Sequence, residues 1–134
     1  KKLFTDNNCG SCHQISSGFS SSYGSTKFAN IGLDLIDNDP GINGLYKIPR
    51  LKNIALTAPY MHDGRFKTLN EVLEHYSHNI ENNSKLSFQL KENGRDPRRM
   101  EFTEAEKADL IAFLNTLTDK DLISNPKYSS PFIN

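Results

Sequence analysis

The sequence predicts an all-α fold, with helices at residues 2–12, 68–78 and 103–118 joined by long loops. Two capping boxes, each followed by an apolar stripe of helical period, predict the second and third helices. No two-residue alternation runs long enough to predict a sheet. The third observation is a shortage of core. Only 36% of the 134 residues are hydrophobic and mean hydropathy is −0.60. That is thin for one domain of this length unless something other than side chains fills it.

The filler is announced by Cys9-Gly10-Ser11-Cys12-His13. C-x-x-C-H is the attachment sequence for a c-type haem. Two thiols three apart on a turn reach the two vinyl groups of one porphyrin and form thioethers. His13 is thereby placed under the iron as its proximal ligand. A zinc site would need four ligands, and there is no third cysteine. A thioredoxin-like pair would need a βαβ context, and none is visible. One haem adds on the order of several hundred Å² of apolar surface, about one extra layer of core side chains.

The elements follow in order around that motif. Leu3 and Phe4 read as the tail of a helix leading into it. Residues 14–46 are rich in Ser, Gly and Asn, with turn signals at Pro40-Gly41 and Asn43-Gly44. They are expected to form a long wrapping loop, with Phe19, Tyr23, Phe28, Ile31, Leu33 and Leu35 lining a haem pocket. Thr68 and Glu71 form the first capping box, and Leu69, Val72, Leu73 and Tyr76 make one stripe. Glu74, Ser77 and His78 fall on the other side, where His75 and His78 are expected to be solvated. Residues 79–101 are polar, and the Arg95–Arg99 cluster reads as a solvated loop. Thr103 and Glu106 open the last helix, with Leu110, Ile111, Leu114 and Leu117 as its stripe. Crossed over the helix before the haem motif, it is what a class I cytochrome c-like domain needs. Residues 119–134, with Pro126 and Pro131, are expected to be an extended tail.

Lys plus Arg and Asp plus Glu each total 16, giving zero net charge. This argues against nucleic acid or a membrane surface as partner. No apolar run approaches the ~20 residues of a membrane span. Covalent haem implies a periplasmic or otherwise extracytoplasmic location. The chain opens at Lys1 without methionine, as a mature or excised piece of a longer protein would.

The block Ile48-Pro-Arg-Leu-Lys-Asn-Ile-Ala-Leu-Thr-Ala-Pro-Tyr-Met-His-Asp-Gly64, running into Thr68-Leu69 and Val72, carries a resemblance. It resembles the C-terminal haem domain of bacterial di-haem cytochrome c peroxidases and of MauG-type proteins. The resemblance runs from the haem motif to the closing Leu110–Thr118 helix. It implies a single cytochrome c domain over residues 1–134 that carries the electron-transferring haem. Its partner would be an N-terminal haem domain outside this chain, which reduces hydrogen peroxide, or a separate redox protein.

In the peroxidases a methionine on the helix after His-Asp-Gly binds the iron, and Tyr76 stands at that position here. MauG-type proteins use a tyrosine, so the substitution resembles them. Met61, a soft thioether on the preceding loop, is the alternative sixth ligand. Met100 lies too near the charged loop to rank beside them. Lys52 is expected either to neutralise a haem propionate or to be an ordinary surface lysine. The resemblance gives His62 a structural hydrogen bond near the haem. It also makes Thr57 and Pro59 backbone donors to a calcium shared with the missing domain. Three functions remain open at this point. The leading one is electron transfer through one haem. The others are direct reaction of this haem with peroxide, with His62 as acid–base group, and a non-catalytic module for docking a partner.

Overall fold

Helices carry the fold in the computed structural model, which describes residues 1–13, 15–16, 19–20, 28–34 and 44–130. They are α1 (Lys2–Asp6), α2 (Leu69–His78), α3 (Glu104–Asn115) and α4 (Lys120–Ser124). Antiparallel two-residue clips supplement them: β1 (Ile15–Ser16) with β2 (Phe19–Ser20), β3 (Phe28–Ala29) with β4 (Tyr46–Lys47), and β5 (Lys91–Glu92) with β6 (Asp96–Pro97). Tyr23, Leu35, Pro40, Gly41 and Asn43 lie outside the described residues, as do residues 131–134.

Both capping boxes close. The Thr68 hydroxyl accepts from Glu71 N at 3.2 Å while the Glu71 carboxylate accepts from Thr68 N at 2.8 Å. Thr103 and Glu106 repeat the exchange at 3.2 and 2.9 Å. Each box satisfies amides that would otherwise be orphaned at a helix start, worth about 1 kcal/mol.

Four expectations need correction. The first helix does not run to residue 12. It stops at Asp6, because Asn8 adopts the left-handed region (φ 58°) that asparagine tolerates, and Cys9–Ser11 then form a separate 3₁₀ turn. Within the expected tail, residues 119–130 are not simply extended. The Asp119 side chain caps α4 by accepting from Leu122 N at 3.0 Å, and Pro126–Tyr128 make a further turn. Residues 79–101 hold core positions, since Ile80, Asn83 and Leu86 are buried. Within the Arg95–Arg99 cluster, Arg98 is half-buried and donates to the Asn7 carbonyl at 3.2 Å.

Two apolar clusters share their neighbours. Phe4, Leu73, Phe102 and Leu110 form one, and Tyr60, Leu69 and Leu114 the other; Leu51, Ile111 and Phe113 touch both. The Phe4 and Phe113 rings meet at 5.4 Å, tilted by 57°, which joins α1 to α3. Lys107 completes the α2–α3 contact. Its buried ammonium bridges Glu74 at 2.7 Å and Glu104 at 2.6 Å.

Residues 30–34 form a strap across α2 and the loop that follows it. Five consecutive carbonyls each accept from a different donor. Asn30 O takes Ser87 N, Ile31 O takes the His75 imidazole, and Gly32 O takes Glu81 N. Leu33 O takes Arg65, and Asp34 O takes the Asn83 amide. Arg65 also holds the Asp34 carboxylate at 2.8 Å. A strap with every carbonyl engaged has few alternative positions.

Candidate haem centre

The break in the first helix builds the centre. With Asn8 left-handed, the chain turns tightly enough that Cys12 N and His13 N both donate to Cys9 O, at 3.3 and 2.9 Å. The two thiols are unbonded and half-buried on that turn. Burial pushes the Cys9 thiol up to about 11, against the pull of the nearby Arg98 guanidinium. A neutral thiol in an apolar setting is the form that a buried cysteine keeps until it reacts.

His13 has a fixed tautomer. Its Nδ1 lies 3.1 Å from the Pro49 carbonyl. A carbonyl can only accept, so Nδ1 carries the proton and Nε2 is left with its lone pair. Burial holds the imidazole below its ordinary pKa, although the Pro49 carbonyl pulls the other way. A neutral ring with a bare Nε2 and its other nitrogen anchored is a metal ligand oriented in advance.

Tyr76 lies on α2, where the 3.6-residue stripe turns it inward. Burial raises its phenol well above the ordinary range, and the Cys12 and Cys9 thiols add to that rise. The Tyr76 hydroxyl has no hydrogen-bond partner among the described residues. Cys9, His13 and Tyr76 share one property: protein crowds each enough to desolvate it, yet each keeps accessible surface. Two thiols, a bare imidazole nitrogen and an unpartnered phenol fit a covalent haem with axial ligands. The donor set matches the group.

The other candidate residues are placed as follows. Met61 is half-buried on a turn with positive φ (72°) and lies in neither apolar cluster. Met100 packs on the Phe4–Leu73 cluster, which accounts for it as core. Lys52 pairs with Asp119 at 2.8 Å, joining the 48–64 block to the start of α4. Thr57 and Pro59 are both exposed, and the Thr57 hydroxyl donates to Ile54 O at 3.1 Å. His62 is exposed rather than hydrogen-bonded inside, and its ring stacks on Tyr46 at 3.7 Å and 9°. Phe28, expected in the pocket, is 59% exposed, while Ile31 and Leu33 are half-buried. The side chain of Phe19 lies outside the described residues.

His78 is exposed, as its place on the helix suggests, and bonds Glu74 at 2.8 Å. His75 is not solvated. It is 3% exposed, with Nε2 2.9 Å from Ile31 O and its ring edge-on to Tyr76 at 5.2 Å. Ser77 is likewise buried, because its hydroxyl accepts from Phe102 N at 2.7 Å. The α2 stripe is wider than a four-residue count allows: 69, 73, 75, 77 and the following 80 are all buried. The burial of His75 and Ser77 is compensated by partners distant in sequence, Ile31 O and Phe102 N. Nothing in the sequence signals that Pro49 is the partner of His13.

Known proteins resemble this chain along most of its length. A family model described as cytochrome c matches residues 1–118. The methylamine utilization protein MauG of Methylorubrum extorquens is 40% identical over 72 residues, covering 54% of this chain and 18% of that protein. Cytochrome c551 peroxidase of Nitrosomonas europaea is 32% identical over 125 residues, covering 87% of this chain and 32% of its own. A solved MauG-like protein associated with microbial copper homeostasis superposes with a TM-score of 0.70 at 31% identity. That match covers 97% of this chain and 49% of the solved one. The chain thus spans less than a third of these two curated relatives and about half of the solved one.

Proposed function

Because this chain belongs to the cytochrome c family, as a haem domain of the MauG and di-haem peroxidase kind, we propose that it transfers electrons through one covalently bound haem. In this reading it is the electron-transfer half of a longer protein, working with a second haem domain or a redox partner in an extracytoplasmic compartment. Cys9 and Cys12 would hold the haem through thioethers, and His13 Nε2 and the Tyr76 oxygen would ligate its iron. Met61 is the alternative to Tyr76. The haem supplies a one-electron ferric–ferrous couple, whose potential the protein sets.

The observation that carries the reading is the C-x-x-C-H turn with His13 anchored through Nδ1 to Pro49 O; Tyr76, half-buried on α2, has a hydroxyl with no partner among the described residues. His13 is held in the tautomer that leaves Nε2 free to donate. Tyr76 offers a hard oxygen that, once deprotonated, favours the oxidised state of a facing metal. An electron-transfer site needs little more than this, since the reaction makes and breaks no bonds in the protein.

Direct peroxide chemistry would need an acid–base group at the sixth position. His62, the residue considered for it, is exposed and engaged in stacking on Tyr46. A calcium held by the Thr57–Pro59 segment would draw its remaining ligands from a second domain, consistent with the exposure of both residues. Among the described residues no helix is long and apolar enough to cross a membrane.

The test is a reductive titration of the purified chain beside a peroxide assay. One electron taken up per chain, with little peroxide turnover, is the expected result. Rapid peroxide turnover by the chain alone would overturn the assignment.

A further inference from the structure

His75 is a buried polar residue that electron transfer does not account for. It is 3% exposed on α2, and its Nε2 lies 2.9 Å from the Ile31 carbonyl, so Nε2 carries the proton and donates it. Ile31 is the second residue of the strap in which Asn30, Gly32, Leu33 and Asp34 also have engaged carbonyls. The acceptor is therefore fixed in space. The His75 ring packs edge-on against Tyr76 at 5.2 Å and 69°, and tilted against Phe66 at 5.9 Å. On its far side the Tyr76 backbone is also held, because its carbonyl accepts from Met100 N at 3.3 Å. The phenol ring is thus flanked by a side chain that is itself tied to an immobile strap.

We propose that His75 is a positioning residue: anchored on Ile31 O, it holds the Tyr76 ring so that the phenol oxygen stays aimed at the haem site. The inference rests on Tyr76 being the sixth ligand. Groups that orient a ligand typically change metal-site affinity 10–100-fold when removed. A loosened phenol would compete less well with an added ligand for the iron. His75 touches neither iron nor substrate, so its effect is on the ligand's placement.

The experiment measures cyanide binding to the ferric, haem-loaded protein in four variants, with covalent haem content and far-ultraviolet dichroism recorded for each. His75→Leu fills the space but donates nothing. His75→Gln places an amide near the position of Nε2, whereas His75→Asn is too short to reach Ile31 O. Tyr76→Phe removes the ligand itself. The expected result is that cyanide binds about 10–100-fold more tightly to His75→Leu and His75→Asn than to the parent, and near the parental value to His75→Gln. Cyanide binding in His75→Leu equal to the parent, with tighter binding in Tyr76→Phe, would overturn the role of His75 alone. Should His75→Leu fail to fold, the Gln and Asn variants decide, and equal cyanide affinity in those two overturns the proposal. Unchanged cyanide binding in Tyr76→Phe would instead overturn the tyrosine ligation beneath it.

Discussion

His13 donates its Nδ1 proton to the carbonyl of Pro49, 3.1 Å away and 36 positions on in the sequence. That one bond ties the C-x-x-C-H turn to the start of the 48–64 block. It also decides which ring nitrogen is left free to bind a metal. The first prediction follows from the same turn. Acid-denatured protein should retain one haem on the chain by mass spectrometry, and Cys9→Ala or Cys12→Ala should yield a poorly folded domain. A mass equal to the bare polypeptide would refute the covalent centre and everything built on it.

Stability should fall as the pH drops, in two stages. Burial lowers the pKa of His13 and of His75 in the folded chain. The unfolded chain, with histidines near ~6.5, then binds more protons than the folded one below that pH, so acid favours unfolding. Iron bound at His13 would act in the same direction, because the ligand must be unprotonated. The Glu74 carboxylate is held low by the Lys107 ammonium and by His78. Its contribution is present above the unfolded value near ~4.3 and is lost as pH falls further. Denaturant midpoints at about pH 7.5, pH 5 and pH 3.5 should decline at each step. A flat profile from neutrality to about pH 5 would contradict the histidine stage.

Gly32 is the position where the strap tolerates no side chain. Its φ is +65°, and an added Cβ would lie 2.7 Å from Glu81 O and 2.8 Å from Ile80 Cγ2. Ile80 is fully buried and cannot retreat. Gly32→Ala should therefore destabilise the loaded protein by about 2 kcal/mol or more, adding steric conflict to the left-handed penalty. It should also disturb the Ile31–His75 bond one residue away. Chemical denaturation would read the first effect, and a value within about 0.5 kcal/mol of the parent would show the strap to be pliable.

Much of this was legible because local chemistry declares itself. Thr68 with Glu71 and Thr103 with Glu106 specify helix starts through bonds between neighbours, and both formed. Cys9, Cys12 and His13 specify a cofactor by spacing alone. What could not be read were partners distant in sequence. His75 was expected to be solvated, because only its contact with Ile31, 44 residues earlier, compensates its burial. Ser77 is inside for the same reason, through Phe102 N. The broken first helix is a subtler case. Two asparagines in a row were visible, but the left-handed turn at Asn8 wins only once the turn it allows is useful.

The last prediction concerns the sixth ligand. A phenolate is a hard anion and stabilises ferric over ferrous iron, whereas a thioether is soft and does the reverse. Burial raises the Tyr76 phenol well above its ordinary range, so only a facing cation would draw its proton off at neutral pH. Met61 needs no such step, which makes the two assignments separable by experiment. Tyr76→Phe should change the ferric optical spectrum and raise the potential by on the order of a hundred millivolts, a modest part of the ~0.8 V range that axial ligands span. Met61→Leu should alter neither. The competing outcome is just as definite. A far-red thioether-to-iron band, lost in Met61→Leu and kept in Tyr76→Phe, would assign the position to Met61. The chain would then be a simple His/Met relay of higher potential, and the burial of Tyr76 would be packing alone.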